Sequence, residues 1–298
     1  MNMLILDETE LGRPLPRTDR RVQHIFKILK KQAGDELLAG IADDGLGENG
    51  RGPLAGQVGT AHIVSWDGRH LVLNFSPVEP APPLHPLTIL LGFPRPIQAN
   101  RILKDLTSLG VTRIILSGTE LGEKSYFQSD FFKNREFRSA LLEGAEQAAS
   151  PRLPLVETAW TLARALKVLN DPALHDSPAR SRTSAWSASL APPADPAQPG
   201  AAAPVRWALD PYRQEGMLGT ALAMDAENVD TKPVGRGFRL APLPVVLAIG
   251  SERGWTPAEL ESMEAAGFRF AGLGERILKT ETAAVAAAAI ALSRMGLM

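Results

Sequence analysis

The sequence contains no cysteine among its 298 residues. This absence excludes disulfides, thiolate metal sites and a cysteine nucleophile, and it agrees with a reducing, cytoplasmic environment. Long apolar runs are also missing, because the longest, Ala283–Leu292, is much shorter than the roughly 20 residues that span a bilayer. The first residues show no basic segment followed by an apolar run, so neither a signal peptide nor a membrane partner is expected.

The chain also lacks an excess of positive charge. Lysine and arginine total 32 against 33 acidic residues, which gives a net charge of −1. Dedicated nucleic-acid binders are often basic overall, so this balance argues mildly against RNA as a partner. Phosphates respond to nearby charge, however, and the N-terminal region holds a basic cluster. Its members are Arg13, Arg17, Arg20, Arg21, Lys27, Lys30 and Lys31.

Two patterns of apolar residues divide the chain. Residues 1–78 combine short strand-like segments with one helix, Arg20–Lys31, and predict a small β-barrel. Pro77–Pro86 is rich in proline and predicts a semi-rigid linker at the domain boundary. Residues 86–298 alternate strands with helices, which predicts a parallel sheet covered on both faces. Within them, residues 171–204 are rich in Pro, Ala and Ser without periodicity, and predict a flexible insert.

The second region predicts the following elements. The strands are Leu87–Phe93, Val111–Leu116, Leu153–Val156, Val205–Leu209, Val245–Ile249 and Arg269–Ala271. The helices are Pro96–Leu109, Phe131–Ala148, Thr158–Leu169, Pro257–Ala266 and Thr280–Met295, the last with Thr280 as its N-cap.

A glycine-rich loop follows the apolar strand Val245–Ile249. It runs Gly250-Ser251-Glu252-Arg253-Gly254 and leads into a helix start with Thr256 as N-cap, Pro257 at N1 and Glu259 at N3. Ligands of α/β sheets bind outside the carboxyl ends of strands, and glycines let the backbone approach them closely. An ordinary strand–turn–helix connection explains this loop equally well on its own.

A second loop changes that balance. Leu273–Ala283 reads LGERILKTETA, and it follows the first loop at the spacing found in the RsmE family of 16S rRNA uridine-N3 methyltransferases. Together the two loops resemble that family's I-G-P-E-G-G-[FW]-[ST]-x-x-E and L-G-x-x-I-L-R-x-E-T-A motifs. Looser resemblances, in the same order as in the family, cover Arg21–Leu37, Thr107–Val111, Ala145–Gln147 and Arg152–Pro154. No dinucleotide or P-loop motif competes with them.

The resemblance implies a fold, a cofactor and partners. The expected fold is α/β, with an N-terminal PUA-like β-barrel over residues 1–78 and a C-terminal SPOUT domain over residues 86–298 that contains a trefoil knot. The expected partners are 16S ribosomal RNA, or the small ribosomal subunit, and a second copy in a homodimer, with no metal. S-adenosylmethionine is expected in a bent form among three loops. Its expected contacts are Leu209, Gly250, Ser251, Gly254, Leu273, Gly274, Ile277 and Leu278.

The chemistry of methyl transfer suggests roles for charged residues. Uridine N3 must lose its proton, which a carboxylate can accept, while a cation can stabilise the resulting anion. Glu252 and Arg253 are the catalytic candidates, although capping of the following helix explains Glu252 equally well. For phosphate contacts the candidates are Arg20, Arg21, His24, Lys27 and Lys30, against the alternative of a solvated helix face.

The departures from the family pattern concern mainly polar positions. Ser251 replaces the proline and Arg253 a glycine of the first loop, and charged residues of the looser motifs are also replaced. The cofactor site and the fold are therefore stronger predictions than the target base. A methyltransferase for another RNA site and a non-catalytic RNA-binding or ribosome-assembly protein remain alternatives. A small-molecule α/β enzyme is disfavoured because no nucleophile, metal cluster or phosphate loop is recognisable.

Overall fold

The protein is described from a computed structural model, which covers residues 2–43, 52–170, 203–228 and 243–298. All but the last two residues of the predicted flexible insert lie outside these ranges, as do residues 44–51 of the N-terminal region. Within the described ranges, no helix is long and apolar enough to cross a membrane.

Strands and helices follow one another along the chain in two groups. The strands are β1 Leu4–Leu6, β2 Leu15–Pro16, β3 Glu36–Ile41, β4 Gln57–Trp66, β5 His70–Pro80, β6 His85–Gly92, β7 Val111–Ser117, β8 Leu155–Ala159, β9 Val205–Leu209, β10 Val245–Ile249 and β11 Arg269–Ala271. The helices are α1 Arg20–Lys27, α2 Pro96–Ser108, α3 Lys124–Phe127, α4 Asp130–Lys133, α5 Arg138–Ala148, α6 Leu162–Asn170, α7 Leu218–Asn228, α8 Pro257–Ala265 and α9 Thr280–Arg294.

The N-terminal unit is a curled five-stranded sheet. Its order is β1-β3-β4-β5-β2, with β1 parallel to β3 and the other pairs antiparallel, so it forms a mixed half-barrel. Helix α1 closes its core with Val22 and Ile25, and the Asp19 side chain caps the helix at the Arg21 N–H. A hairpin turn at Asp67 and Gly68 joins β4 to β5, where Gly68 has φ +88° and Asp67 accepts two backbone hydrogen bonds.

The predicted linker Pro77–Pro86 is wrong in its extent. Strand β5 continues to Pro80 and β6 begins at His85, so four residues separate the two units. The prolines fit into β5 because the pairing with β4 is irregular where Gly59 faces Pro77. A side chain at Gly59 would lie 2.0 Å from the Ser76 carbonyl oxygen, so glycine permits this close approach.

The C-terminal unit is the predicted parallel sheet covered on both faces. Its six strands run in the order β11-β9-β10-β6-β7-β8, and every pair is parallel. Helices α2, α5, α7 and α9 pack on one face, and α6 and α8 on the other. The apolar strands explain this arrangement, because successive side chains of β6 alternate between the two cores. The trefoil knot stays a prediction.

Several predicted helix boundaries are wrong. The helix predicted over Phe131–Ala148 is two helices, α4 and α5, because Arg135 has φ +53° and interrupts the helical geometry. The helix predicted from Thr158 begins at Leu162, since β8 continues to Ala159. Similarly, the helix predicted to run to Lys31 ends at Lys27, and Lys30 has φ +57°.

Two further differences concern helix starts in the C-terminal unit. Lys279, and not Thr280, is the N-cap of α9, and its side chain makes no capping hydrogen bond. Thr280 is buried as the first helical residue. Helix α7 was not predicted, because its residues follow a loop without a recognisable cap.

The two units share a polar and apolar interface. Met3 and Ile5 of β1 enter the core of the C-terminal unit, while Leu4 and Leu6 enter the core of the half-barrel. The Glu146 carbonyl oxygen at the end of α5 accepts hydrogen bonds from the backbone N–H groups of Asn2 and Met3. The N-terminal unit is therefore held against α5 by its first strand.

Candidate functional site

The loops predicted to form the site emerge side by side at the carboxyl edge of the parallel sheet. Ile249 of β10 is paired with Leu209 of β9 and with Leu91 of β6, and Ala271 of β11 is paired with Leu209. The loops that follow β9, β10 and β11 therefore start from adjacent strand ends. This edge is where open α/β sheets bind their ligands.

The loop after β10, Gly250–Trp255, is a tight turn. The Gly254 N–H donates to the Ser251 carbonyl oxygen over 2.9 Å, and Gly254 has φ +75°, which favours glycine. The following helix begins as predicted, because Thr256 and Glu259 form a reciprocal capping box. Thr256 and Glu259 together cap α8, and the Glu252 carboxylate binds the Arg95 N–H instead, so the alternative prediction that Glu252 caps this helix is wrong.

The end of strand β6 packs against this turn. Gly92, the last residue of β6, packs so closely that a Cβ atom there would lie 2.4 Å from the Ser251 nitrogen. A Cβ at Gly250 would lie 3.0 Å from the Gly254 Cα. The path of the β10 loop therefore depends on glycine both within the loop and beneath it.

The loops after β9 and β11 are joined by backbone hydrogen bonds. The Gly272 N–H donates to the Gly216 carbonyl oxygen over 2.8 Å, and the Leu218 N–H donates to the Gly272 carbonyl oxygen over 3.0 Å. Asp210, buried at the end of β9, accepts the N–H groups of Tyr212 and Arg213 and so fixes the first turn of the β9 loop. The β9 and β11 loops together form one wall of the candidate site.

A cleft opens in the β11 loop. It has a volume of about 350 Å³ and is lined by Leu273, Gly274, Glu275, Arg276 and Leu278. Three of the predicted cofactor residues, Leu273, Gly274 and Leu278, line it, whereas Ile277 is 71% exposed. Gly274 has φ +130°, and a Cβ there would meet nothing nearer than Met217 Cε at 4.0 Å. The residues fit a bound ligand, because the loop needs glycine where it borders open space.

A buried donor beside the β10 loop fits a ligand as well. The Trp255 indole is almost fully buried, and its Nε1 has no hydrogen-bond partner among the described residues. It lies 3.4 Å from the position that a Cβ of Gly250 would take. Buried donors normally have a partner, so a polar ligand group above Gly250 would satisfy it.

Glu252 and Arg253 lie at the exposed tip of the β10 loop. The Glu252 Oε1 accepts the backbone N–H of Arg95 over 3.1 Å, which places the carboxylate at the N-terminus of α2. Positive charge at a helix N-terminus favours this carboxylate position. The Arg95 side chain in turn donates from Nε to the Tyr126 hydroxyl over 2.9 Å.

The loop after β7 holds the β10 loop from the other side, and sequence reasoning missed it. The Thr119 hydroxyl donates to Ser251 Oγ over 3.1 Å, and the Thr256 hydroxyl donates to the Glu120 carboxylate over 2.8 Å. The Glu120 N–H also donates to Glu259 Oε1 over 2.9 Å. The sequence signal that could have identified this loop is the polar pair Thr119 and Glu120 shortly after the buried strand β7. Ser251, which replaces the family proline, is thus restrained by a side-chain hydrogen bond.

Replacing Thr119 by valine should weaken cofactor binding with little effect on stability. The change removes the hydrogen bond to Ser251 but keeps the shape, so we expect the Kd for S-adenosylmethionine to rise about fivefold, the equivalent of one net hydrogen bond. Calorimetric titration with S-adenosylmethionine measures this Kd. Thr112→Val is the matched control, because it removes a Thr hydroxyl bond to the His85 carbonyl oxygen at the opposite end of β7. Equal affinities for wild type and Thr119→Val would contradict the restraint.

The predicted RNA-contacting residues do not act as one group. Arg21 is largely buried and donates to Glu10, Asp19 and the Ile5 carbonyl oxygen. Burial alone would lower the pKa of Arg21, but the hydrogen bonds with Glu10 and Asp19 raise it. Burial alone would raise the pKa of Glu10, yet its hydrogen bonds with Arg21 lower it overall. Arg21 therefore stabilises the N-terminal unit.

The remaining basic residues lie around α1, away from the cofactor loops. Arg20 forms two hydrogen bonds, of 2.8 and 2.9 Å, with the buried Glu146 carboxylate, and together with His24 and Lys104 it borders a cleft of about 260 Å³ between α1, α2 and α5. Lys104 is two turns into α2, about 12 Å from its start beside Glu252. Lys27 and Lys30 are exposed. Within one chain, this surface is separate from the β10 loop.

Comparison with known proteins identifies the class. The sequence profile of the RNA methyltransferase domain matches residues 80–188 and 219–292, which include the β10 and β11 loops. The ribosomal RNA small subunit methyltransferase E of Treponema pallidum is 32% identical over 301 residues, covering 98% of this chain and 91% of that protein. The corresponding enzyme E 1 of Borreliella burgdorferi is 25% identical over 296 residues, with 99% of each chain covered.

Solved structures match the fold with coverage of nearly the whole chain. The ribosomal RNA small subunit methyltransferase E of Neisseria gonorrhoeae, bound to S-adenosyl methionine, matches with a TM-score of 0.58 at 18% identity, covering 98% of this chain and 97% of that one. A Legionella pneumophila protein solved with the bound cofactor SAM gives a TM-score of 0.61 at 18% identity, with the same coverage. The fold and the matched profile define an RNA methyltransferase. The chain belongs to the ribosomal RNA small subunit methyltransferase E, or RsmE, family.

Proposed function

We propose that the protein uses S-adenosylmethionine to methylate N3 of a uridine in 16S ribosomal RNA. The observation that carries this proposal is the alignment of the β9, β10 and β11 loops at the carboxyl edge, with glycines where the loops border open space. The family membership and the cofactor named in the structural relatives support it. The cytoplasm is the expected location, because the proposed substrate is ribosomal.

We propose that residues of the β10 and β11 loops hold the cofactor. Gly250, Ser251 and Gly254 would contact it from the β10 loop, and Leu273, Gly274, Ile277 and Leu278 from the β11 loop, with Leu209 beneath. When bound, S-adenosylmethionine supplies an electrophilic methyl group. The protein's task is then to hold the uridine in line and to remove its N3 proton. A base paired in a duplex hides N3, so the target must be unpaired or turned out of a helix.

We assign the proton-accepting role to Glu252. One carboxylate oxygen is held by the Arg95 N–H, and the side chain is otherwise exposed at the loop tip. Arg253, the next residue and also exposed, would stabilise the negative charge that develops on the uracil ring. The hydrogen bond to Arg95 orients the carboxylate before the substrate arrives.

Replacing Glu252 by glutamine separates its two roles. The amide oxygen can still accept the Arg95 N–H, so we expect the Kd for S-adenosylmethionine to change less than about threefold, which is below the value of one hydrogen bond. The amide cannot accept the N3 proton, so kcat should fall about 100-fold or more. Glu252→Ala, which also loses the Arg95 bond, should affect both quantities. Full activity of Glu252→Gln would show that Glu252 only positions the loop.

We also propose that the chain acts as a homodimer. Large apolar side chains are exposed around the cofactor loops: Ile97 is 74% exposed, Ile277 71% and Met217 47%. Clustered exposed apolar residues are typical of interaction surfaces. Sedimentation of the full chain should give twice the monomer mass, and Ile97→Asp should shift it towards the monomer. A monomeric wild type at micromolar concentration would overturn this assignment.

For RNA binding, we propose that His24, Lys27 and Lys30 contact phosphates. Arg20 contributes to the same face, although its guanidinium is oriented by Glu146, whereas Arg21 supports the helix from within. Because phosphate contacts release counterions, the affinity for 16S ribosomal RNA should fall steeply with salt.

The direct test of the proposed function is transfer of labelled methyl from S-adenosylmethionine to small ribosomal subunits that lack the modification. Calorimetry of the same preparation provides the control for cofactor binding. Binding and transfer support the proposal. Binding without transfer would instead indicate a non-catalytic RNA-binding protein, and absence of binding would reject both the cofactor site and the proposed reaction.

A further inference from the structure

A row of three aromatic side chains crosses the carboxyl edge of the sheet beside the candidate site. Phe93 follows β6 and packs edge-on against Phe127 of α3 with ring centroids 4.5 Å apart. Phe127 in turn lies against Trp160, which follows β8, with centroids 3.5 Å apart. The row extends from the strand next to β10 to the edge strand of the sheet.

The row also runs from the core to the surface. Phe93 is 3% exposed, whereas Trp160 is 62% exposed. The Trp160 backbone is fixed against the next strand end, because a Cβ at Gly118 would lie 2.1 Å from the Trp160 carbonyl oxygen. One indole face is therefore supported by Phe127 while much of the side chain faces solvent. Sequence analysis did not identify this residue, because a lone tryptophan after a strand usually belongs to the core.

Hydrogen bonds connect the row to the β10 loop. Tyr126, the neighbour of Phe127, accepts a hydrogen bond from Arg95 Nε, and the Arg95 N–H donates to Glu252. Trp160 therefore belongs to the same framework that positions the proposed catalytic carboxylate. Strands β8 and β10 are three strand spacings apart, about 14 Å, so Trp160 lies to one side of the β10 loop along the same edge of the sheet.

Basic side chains on the helices α3 and α6, which adjoin the aromatic row in sequence, suit a nucleic acid. Lys124 begins α3, the helix that carries Phe127, and Arg164 lies on the first turn of α6, four residues after Trp160. Both side chains are exposed. Exposed aromatic rings flanked by cations bind single-stranded nucleic acid, since bases stack on the ring and phosphates pair with the cations.

We propose that Trp160 is a stacking platform for an unpaired base of the RNA substrate that flanks the methylated nucleotide. The proposal rests on the proposed function and assigns part of its substrate surface. A flat ring supported from below and open above suits a nucleobase. Lys124 and Arg164 complement the phosphates on either side of that base.

The experiment compares three substitutions in the full chain. Trp160→Phe keeps an aromatic face, Trp160→Leu keeps an apolar side chain without one, and Trp160→Ala removes both. The probes are a fluorescein-labelled oligouridylate, a blunt RNA duplex, and small ribosomal subunits as the methyl acceptor. The loss of one base–aromatic stack should raise the Kd for oligouridylate and the KM for subunits about tenfold in the Ala and Leu variants. Trp160→Phe should stay within about threefold of wild type.

Two controls separate stacking from structural damage. The Kd for S-adenosylmethionine and the sedimentation coefficient should be unchanged in all three variants, and duplex RNA should bind them equally. Unchanged oligouridylate affinity and KM in Trp160→Ala would overturn the proposal. So would a change in sedimentation, which would show that a second copy covers the indole.

The proposal and the proposed function can fail separately. If the wild type methylates subunits but Trp160→Ala does so with the same KM, the stacking platform is rejected and the enzyme assignment stands. If the wild type transfers no methyl group, the enzyme assignment is rejected. In that case the oligouridylate titration still decides whether Trp160 binds RNA.

Discussion

Gly92→Ala is expected to reduce the affinity for S-adenosylmethionine about 100-fold, because displacing the β10 loop would remove the equivalent of about two net hydrogen bonds to the cofactor. The added Cβ would lie 2.4 Å from the Ser251 nitrogen and 2.9 Å from the Gly250 carbonyl carbon. Both are backbone atoms in the β10 loop, so no side-chain rotation relieves the contact. The loop must move away from β6, and the overpacking should also lower the free energy of unfolding by about 1–3 kcal/mol.

Calorimetric titration and denaturant unfolding measure the two effects of Gly92→Ala. Gly219→Ala is a matched control on α7, where the added Cβ would meet nothing nearer than Ile290 Cγ2 at 3.6 Å. Alanine is favoured over glycine in helices, so this variant should be at least as stable as wild type and should bind the cofactor normally. Wild-type affinity in Gly92→Ala would show that the cofactor does not depend on the β10 loop.

Arg152→Met should produce the largest loss of stability, about 3 kcal/mol or more, because it breaks a buried ion pair. The Arg152 guanidinium donates to the Asp43 carboxylate over 3.0 Å and to the Ala81 carbonyl oxygen over 3.0 Å. Both side chains of the pair are about 10% exposed or less. Ala81 is the first residue of the connection between the two units and Asp43 follows β3 of the half-barrel, so the substitution should also loosen the N-terminal half-barrel.

The control for this prediction is an exposed pair with the same separation. Lys104 and Glu143 are also 3.0 Å apart, but their side chains are 42% and 37% exposed. Lys104→Met should therefore change stability by about 1 kcal/mol or less. Urea unfolding curves of the two variants give the comparison. Similar small losses in both would mean that Arg152 does not hold the units together.

The parallel sheet was predictable because its signals are local. Apolar strands such as Val245–Ile249, and the capping pattern of Thr256 and Glu259, lie within a few residues of one another. The carboxyl edge could be assigned as the ligand site from the same information. The glycines of the β10 and β11 loops were identified for the same reason.

The contacts that position the site were not predictable, because they join distant parts of the chain. Glu252 is bound to Arg95, which lies 157 residues earlier, and Ser251 to Thr119, which lies 132 residues earlier. Nothing near Glu252 distinguishes a cap of α2 from a cap of α8. Arg21 donates to the Glu10 carboxylate and to the Ile5 carbonyl oxygen, which hold it largely buried. These contacts are not visible in the sequence, so the basic character of Arg21 alone led to the prediction of a phosphate contact.

The proline-rich boundary shows a different limit. Composition predicted a linker over Pro77–Pro86, but pairing with β4 extends β5 through the first prolines. Tertiary pairing outweighs the local preference here, since an irregular ladder does not require every N–H of the strand. The two units are consequently joined more tightly than the composition of this segment indicates.

The measurement that tests the account most directly is mass-spectrometric mapping of 16S ribosomal RNA. Small subunits lacking the modification would be incubated with the purified full chain and methyl-labelled S-adenosylmethionine, with Glu252→Gln as the inactive comparison. We predict one labelled methyl group, on N3 of a single uridine, with wild type and strongly reduced labelling with the variant. A label on another base or position, or none despite cofactor binding, would contradict the central claim.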